Sequence, residues 1–302
     1  MRNIALTALS ILLCLSTIAD AQQRETLGWG RLLNNDVFGD GKDRWQTGGG
    51  VVSKVTGYGW EGVLPDRPGD IIEYRFWGGV IAPADLVTPA AGDRRYAASL
   101  SFGVHTYFQR RNTEFNLGAD LVITGPQTGL GTLQRAVHQV VGEALPTVLA
   151  TQIPNGFHPT LIAEAGRSFA ISPNVAVRPF VEVQAGVETL VRVGGDVRIG
   201  RLGSDELMLR DVMTGHRYRG NRGEFTGWAA VFGADVARVE HSTYLPAASG
   251  YALTDARTRV RAGVHWQGKK SSVFYGVTYL GEEFVAQPEG QIVGSVRLNI
   301  KF

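Results

Sequence analysis

Apolar and polar residues alternate with period two along most of this 302-residue chain. Such alternation puts successive side chains on opposite faces of a strand, so each run predicts a β-strand with one apolar and one polar face. Twelve segments carry it: 27–34, 47–56, 71–81, 95–108, 113–123, 157–171, 177–187, 190–200, 226–240, 257–267, 272–283 and 291–302. In the fifth, Phe115, Leu117, Ala119, Leu121 and Ile123 oppose Glu114, Asn116, Gly118 and Asp120. In the tenth, Thr258, Val260, Ala262, Val264 and Trp266 oppose Arg257, Arg259, Arg261, Gly263 and His265, so the polar side must be wet or ion-paired. The seventh and eighth segments also read as one strand counted twice. One stretch departs from the pattern. Gly125 to Gly142 reads GPQTGLGTLQRAVHQVVG, with Leu130, Leu133, Val137 and Val140/Val141 at helical spacing and Gln134 and His138 one turn apart on another face.

The last segment sets Val296, Leu298, Ile300 and Phe302 against Ser295, Arg297, Asn299 and Lys301, and the chain stops on the aromatic residue. A soluble sandwich would bury that apolar face in its core. A terminal aromatic strand on an exported chain instead favours a bacterial outer-membrane barrel, with an apolar lipid face and a polar lumen. Export is expected from residues 1–21: Arg2 precedes an apolar run from Ile4 to Ile18, and Ala19-Asp20-Ala21 forms a cleavage site. The run is too short for a spanning helix. Cys14, the only cysteine, would leave with it, which excludes disulfides, thiolate metal sites and cysteine nucleophiles from the mature chain. The expected organisation is a signal peptide, 1–21, and a single all-β domain, 22–302: a twelve-stranded antiparallel transmembrane barrel with a short helix in an extracellular loop.

Composition changes this little. The 39 glycines and a net charge of +2 suit a barrel, and scattered Lys and Arg give no case for nucleic acid. Strand parity adds more. With both termini in the periplasm, the short links 109–112, 172–176 and 268–271 fall on the periplasmic side, and 35–46, 82–94 and 124–156 face outward. The long connection 201–225 disagrees in style, since parity places it in the periplasm.

Candidate chemistry lies in the outward connections. The first, Asn34 to Gly49, gathers amide and carboxylate oxygens suited to a hard cation such as calcium, although Asn, Asp and Gly are also ordinary turn residues. The second ends Gly92-Asp93-Arg94-Arg95-Tyr96, where arginines can meet lipid phosphates or stay solvated. His138 can serve as a general base, or simply pack the loop. His105, His158, His216, His241 and His265 lack such a setting and read as structural.

These residues also carry a resemblance. Asn35-Asp36-x-Phe38, Asp43-Arg44-x-x-Thr47-x-Gly49, Gly92-Asp93-Arg94-x-Tyr96, Gly125-Pro126 and Gln134-x-x-x-His138-x-x-x-Gly142 stand in the order in which the outer-membrane lipid A 3'-O-deacylase family has similar motifs. The match spans Asn35 to Gly142; elsewhere it is strand pattern and the closing Phe302. The resemblance implies a Gram-negative outer-membrane enzyme with its site facing the exterior, hydrolysing the ester of the 3'-linked acyl chain of lipid A with calcium. It implies His138 as the base activating water, Gln134 holding water or substrate, and Asn35, Asp36 and Thr47 completing the polar site. Arg44, Asp93 and Arg94 would contact lipopolysaccharide, and Asp36 and Glu143 would bind Ca2+. A monomer is expected. Gln46 stands where the family commonly has an aromatic residue, and Arg95 where it has proline.

Two rival readings remain. An outer-membrane phospholipase would need a His-x-Ser pair, but the residues two after each histidine are Tyr107, Val140, Thr160, Tyr218, Thr243 and Gln267. A non-catalytic pore or adhesion barrel would use the loop helix as a plug.

Overall fold

A computed structural model describes residues 23–300; the expected signal peptide and the closing Phe302 lie outside them. The strands, in chain order, are β1 (Glu25–Asn35), β2 (Trp45–Gly57), β3 (Ile71–Ala82), β4 (Ala97–Arg110), β5 (Thr113–Thr124), β6 (Gly156–Gly166), β7 (Phe169–Ser172), β8 (Val175–Ala185), β9 (Glu188–Gly200), β10 (Met208–Arg210), β11 (Arg217–Arg219), β12 (Gly227–Ser242), β13 (Arg257–Gln267), β14 (Ser271–Leu280) and β15 (Gln291–Ile300). The helix α1 (Leu130–Val141) follows β5.

Consecutive antiparallel pairing runs round the sheet and closes where β1 meets β15, at Leu33 opposite Val296 and Asn35 opposite Gly294. β6 and β7 occupy one position against β8, interrupted at Arg167 and Ser168, so the single segment read at 157–171 is one broken strand. The seventh and eighth segments are separate strands, joined by the tight Gly186-Val187 turn. The result is a closed twelve-strand antiparallel barrel, which leaves no free sheet edge in lipid. Among the described residues no helix is long and apolar enough to cross a membrane.

Alternation along each strand sorts the side chains. Trp29 and Leu33 of β1 point outward and are exposed, whereas Leu32 and Asn34 point inward and are buried. The inward arginines of β13 are ion-paired: Arg257 lies 3.1 Å from Glu188 and Arg259 2.9 Å from Asp235, and Arg261 pairs with Asp196 and Asp235.

The long 201–226 connection resolves its own anomaly. It turns into the barrel and forms the β10–β11 hairpin, whose Leu209 and Tyr218 sit in the main apolar cluster with Val51, Val55 and Ile71. Close approach is possible because β1 carries Gly30, where a Cβ would lie 2.8 Å from the Tyr218 ring. Arg210 of the hairpin bonds Glu164 at 2.6 Å and Asp196 at 2.9 Å across the lumen. Interior cavities of about 130 and 190 Å³ flank the hairpin.

Candidate active site

α1 stands at the barrel end that also carries the connections 36–44 and 83–96, as parity predicts. It starts and stops on glycines in the left-handed conformation, Gly129 (φ 72°) and Gly142 (φ 79°), which a side chain would strain. Leu130 packs against the cluster of Ala82, Tyr96, Ala98, Val148 and Leu149. That docking leaves Gln134 and His138 half-buried, facing the outer wall of β1 and β2 across a groove of about 1140 Å³.

The groove has a polar end and an apolar length. Asn35, Asp43, Thr47, Gln134, His138 and Glu143 line the polar end; Leu33, Val52, Phe76, Leu100, Leu133 and Val137 line most of the rest, together with the exposed Arg31 of β1. Asn35 reaches it because β1 ends there, and its Oδ1 accepts from Val37 N at 2.8 Å, capping a short 3-10 turn. Thr47 reaches it through a bulge. Gln46 and Thr47 together fill the space between the Trp45–Ala82 and Gly48–Val80 pairs, so the two side chains take opposite faces. Gln46 turns into the lumen and bonds Glu283 at 3.3 Å, and Thr47 turns outward, its hydroxyl donating to Val80 O at 2.9 Å.

Hydrogen bonding orients the helix pair. His138 Nδ1 lies 2.8 Å from the Ala144 carbonyl, which can only accept. In the neutral ring Nδ1 therefore carries the proton and Nε2 is left as the acceptor. Tyr96 OH donates to Gln134 Oε1 at 2.8 Å, leaving the Gln134 amide group as the donor.

Carboxylates crowd this end. Asp36 is fully buried; Arg44 N donates to its Oδ2 at 2.9 Å, and its Oδ1 has no partner. Burial, and then the neighbouring Asp43, push the Asp36 carboxyl up to about 7. Asp43 is itself raised by burial and by Glu143, against the opposing pull of His138. Its backbone is left-handed (φ 45°), as is that of Trp45 (φ 51°), so the loop holds these residues at a cost in strain. Among the described residues no three His, Cys, Asp or Glu side chains form a ready metal cluster. Calcium also takes backbone and amide oxygens, however. A buried carboxylate oxygen without a partner, beside further carboxylates, fits a hard cation.

Not every residue singled out from the sequence borders the groove. Arg44 pairs with Asp40 at 3.2 Å and with Glu289, and lies 4.3 Å over the Trp45 ring. Asp93 accepts from Trp45 Nε1 at 3.2 Å and from the Ala84 and Arg94 amides, which staples two loops together. Arg94 is buried in an ion pair with Glu283. Asp43 and Tyr96 were visible within the motifs, but without a role; their roles come from the neighbours the fold supplies. Among the described residues, no histidine ring is hydrogen-bonded to a serine hydroxyl; Ser99 bonds Tyr244 OH at 3.2 Å.

Comparison with curated proteins returns no match. Among solved structures, LpxR from Salmonella typhimurium superimposes with a TM-score of 0.76 at 18% identity, covering 91% of this chain and 100% of that one. A KdgM porin (TM-score 0.41, 6% identity, 91% and 99% covered) and an outer membrane channel from Pseudomonas putida F1 (0.42, 10%, 92% and 97%) are more distant. The family described as outer membrane protein LpxR matches residues 6–302, nearly the whole chain. The protein belongs to the LpxR family of outer membrane proteins.

Proposed function

We propose that this protein is a calcium-dependent lipid A 3'-O-deacylase, working at the outer leaflet with the helix-bearing end facing the exterior. One observation carries the reading: a groove on the lipid-facing wall gathers Asn35, Thr47, Gln134 and His138 at its polar end and is mostly apolar along its length. An ester with a long acyl chain has the same division. Family membership supports the same enzyme class.

In this mechanism Nε2 of His138 takes a proton from water as the oxygen attacks the ester carbonyl carbon. The Gln134 amide donates to the water or to the developing oxyanion. As the tetrahedral intermediate collapses, the bond to the sugar oxygen breaks and His138 returns the proton to that oxygen. The products are a free fatty acid and lipid A with an open 3'-hydroxyl. Asp36 and Asp43, completed by backbone or amide oxygens, would hold a calcium ion, which would supply a Lewis acid for the carbonyl charge, and Glu143 would add negative charge beside it. The filled lumen offers nothing to a pore reading, and the site lacks the serine partner that a phospholipase of the His-Ser type needs.

The test is mass spectrometry of lipid A incubated with purified protein and calcium. Wild type should release the 3'-linked acyl chain, and His138→Ala should lower the rate about 10²–10⁴-fold, the usual worth of a general base. Asp36→Asn should weaken the calcium response. Unchanged lipid A with the wild-type protein in saturating calcium refutes the reading.

A further inference from the structure

The polar end leaves two features of the groove unexplained. First, Leu133, Val137 and Val140 of α1 form an i, i+4, i+7 stripe that stays 58%, 49% and 86% exposed. Leu130 and Gly131 dock the helix, Gly131 so closely that a Cβ would lie 2.9 Å from Leu149. Leu133 and Val137 of this stripe share the groove with Leu33, Val52, Phe76 and Leu100, which are outward residues of β1 to β4. The stripe is therefore continuous with the apolar belt that faces lipid.

Second, the wall opposite the helix is missing two side chains. Gly50 of β2 pairs with Gly78 of β3, and Leu33 and Leu100 flank that pair on β1 and β4. Backbone geometry does not demand glycine at either place, since neither has a left-handed φ. A Cβ at Gly50 would find its nearest neighbours at 3.6 and 3.7 Å, which is ordinary contact. At Gly78 it would meet only the end of the flexible Leu100 side chain, at 3.0 Å, before Ser99 O at 3.8 Å. Glycine in a strand interior costs stability, and at Gly50 a Cβ would meet no obstacle. The next outward rung restores bulk with Val52 opposite Phe76. The polar residues Asn35 and Thr47 stand one rung above the gap.

We infer that α1 is inserted at the rim of the bilayer and that the trench between its Leu133–Val137 face and the Gly50–Gly78 floor receives one lipid acyl chain, entering sideways from the leaflet. The identity of the ester at the head of that chain rests on the deacylase reading; the lipid contact of the helix does not. The chain replaces the side chains absent from the floor and packs against the apolar face of the helix. Gly50 and Gly78 are then specificity-determining positions, because a side chain there shortens the trench without touching Gln134 or His138.

Two measurements test this. In a Cys14→Ser background, single cysteines at Leu133, Val137, Val140, Arg135 and Gln139 are nitroxide-labelled in phosphatidylcholine vesicles. Collision with dissolved oxygen and with a water-soluble nickel chelate is then read by electron paramagnetic resonance. Labels at 133, 137 and 140 should meet oxygen and be shielded from nickel, with the reverse at 135 and 139. Equal nickel access at all five overturns insertion of the helix. Separately, Gly50→Leu should cut release of a long acyl chain from lipid A at least tenfold, with unchanged heat-modifiable gel mobility, and Gly50→Ala should retain most activity. Wild-type rates in Gly50→Leu overturn the trench. A wild-type protein that releases no fatty acid, but whose labels report lipid, refutes the deacylase reading and leaves the docking surface standing.

Discussion

Single hydrogen bonds decide which atoms of the site can react. The Ala144 carbonyl commits His138 Nδ1 to be the protonated nitrogen, and the Tyr96 hydroxyl commits Gln134 Oε1 to be an acceptor. Tyr96→Phe removes the second constraint and lets the Gln134 amide rotate. A neutral hydrogen bond of this kind is worth about 1 kcal/mol, so kcat should fall on the order of fivefold with KM unchanged. Steady-state kinetics on lipid A reads both; an unchanged kcat means Tyr96 does not orient Gln134. The residue types Gln134 and His138 were readable from a helix pattern among strands. The commitment of each atom was not, because Ala144 and Tyr96 are brought to them by loop packing rather than by spacing.

At the level of elements, a single extra residue in β2 builds half the site. Strict alternation would send Thr47 to the lumen, on the side of Val51 and Ser53, and the bulge with Gln46 reverses it. Deleting Gln46 should restore regular pairing and turn Thr47 inward. The barrel should survive, since it keeps its strand count, but activity should be lost; gel mobility and fatty-acid release check the two halves. Full activity in the deletion variant means that Thr47 is dispensable. The helix shows the complementary lesson. Its apolar positions have ordinary core spacing, yet three of them stay exposed, as the insertion at the bilayer rim inferred above requires.

Across the whole molecule, charge and connectivity make a closed, filled barrel. Removing residues 203–222 would withdraw the β10–β11 hairpin and with it Arg210, Tyr218 and Leu209 from the lumen. The expected outcome is a barrel that conducts ions in a planar bilayer where the intact protein does not; a silent deletion variant would mean that the strands' own side chains close the channel. Stability against acid should report the ion pairs at the helix-bearing end. Burial alone would raise Glu283, but Arg257 and Arg94 outweigh it and hold the carboxyl at about 2, below its ordinary 4.5. A depressed carboxyl stabilises the fold above its unfolded value and loses that contribution as pH falls from about 4.5 to about 2, up to roughly 3 kcal/mol. Thermal unfolding in detergent should show this acid-dependent drop, reduced in Glu283→Gln; identical pH profiles would rule out that role.

Sequence alone determined the barrel, its strand count and the end at which the helix and the Asn35–Asp36 loop meet, because alternation and parity are local properties that survive any packing. It also showed that 201–225 was too long for its side of the membrane, but not where that segment goes. Tertiary structure decided that the hairpin fills the lumen, that Arg44, Asp93 and Arg94 brace loops away from the groove, and that Asp43 joins Asp36 and Glu143. Each of those outcomes depends on which distant side chain lies within hydrogen-bond or Coulomb reach, and that distance is set only when the barrel closes.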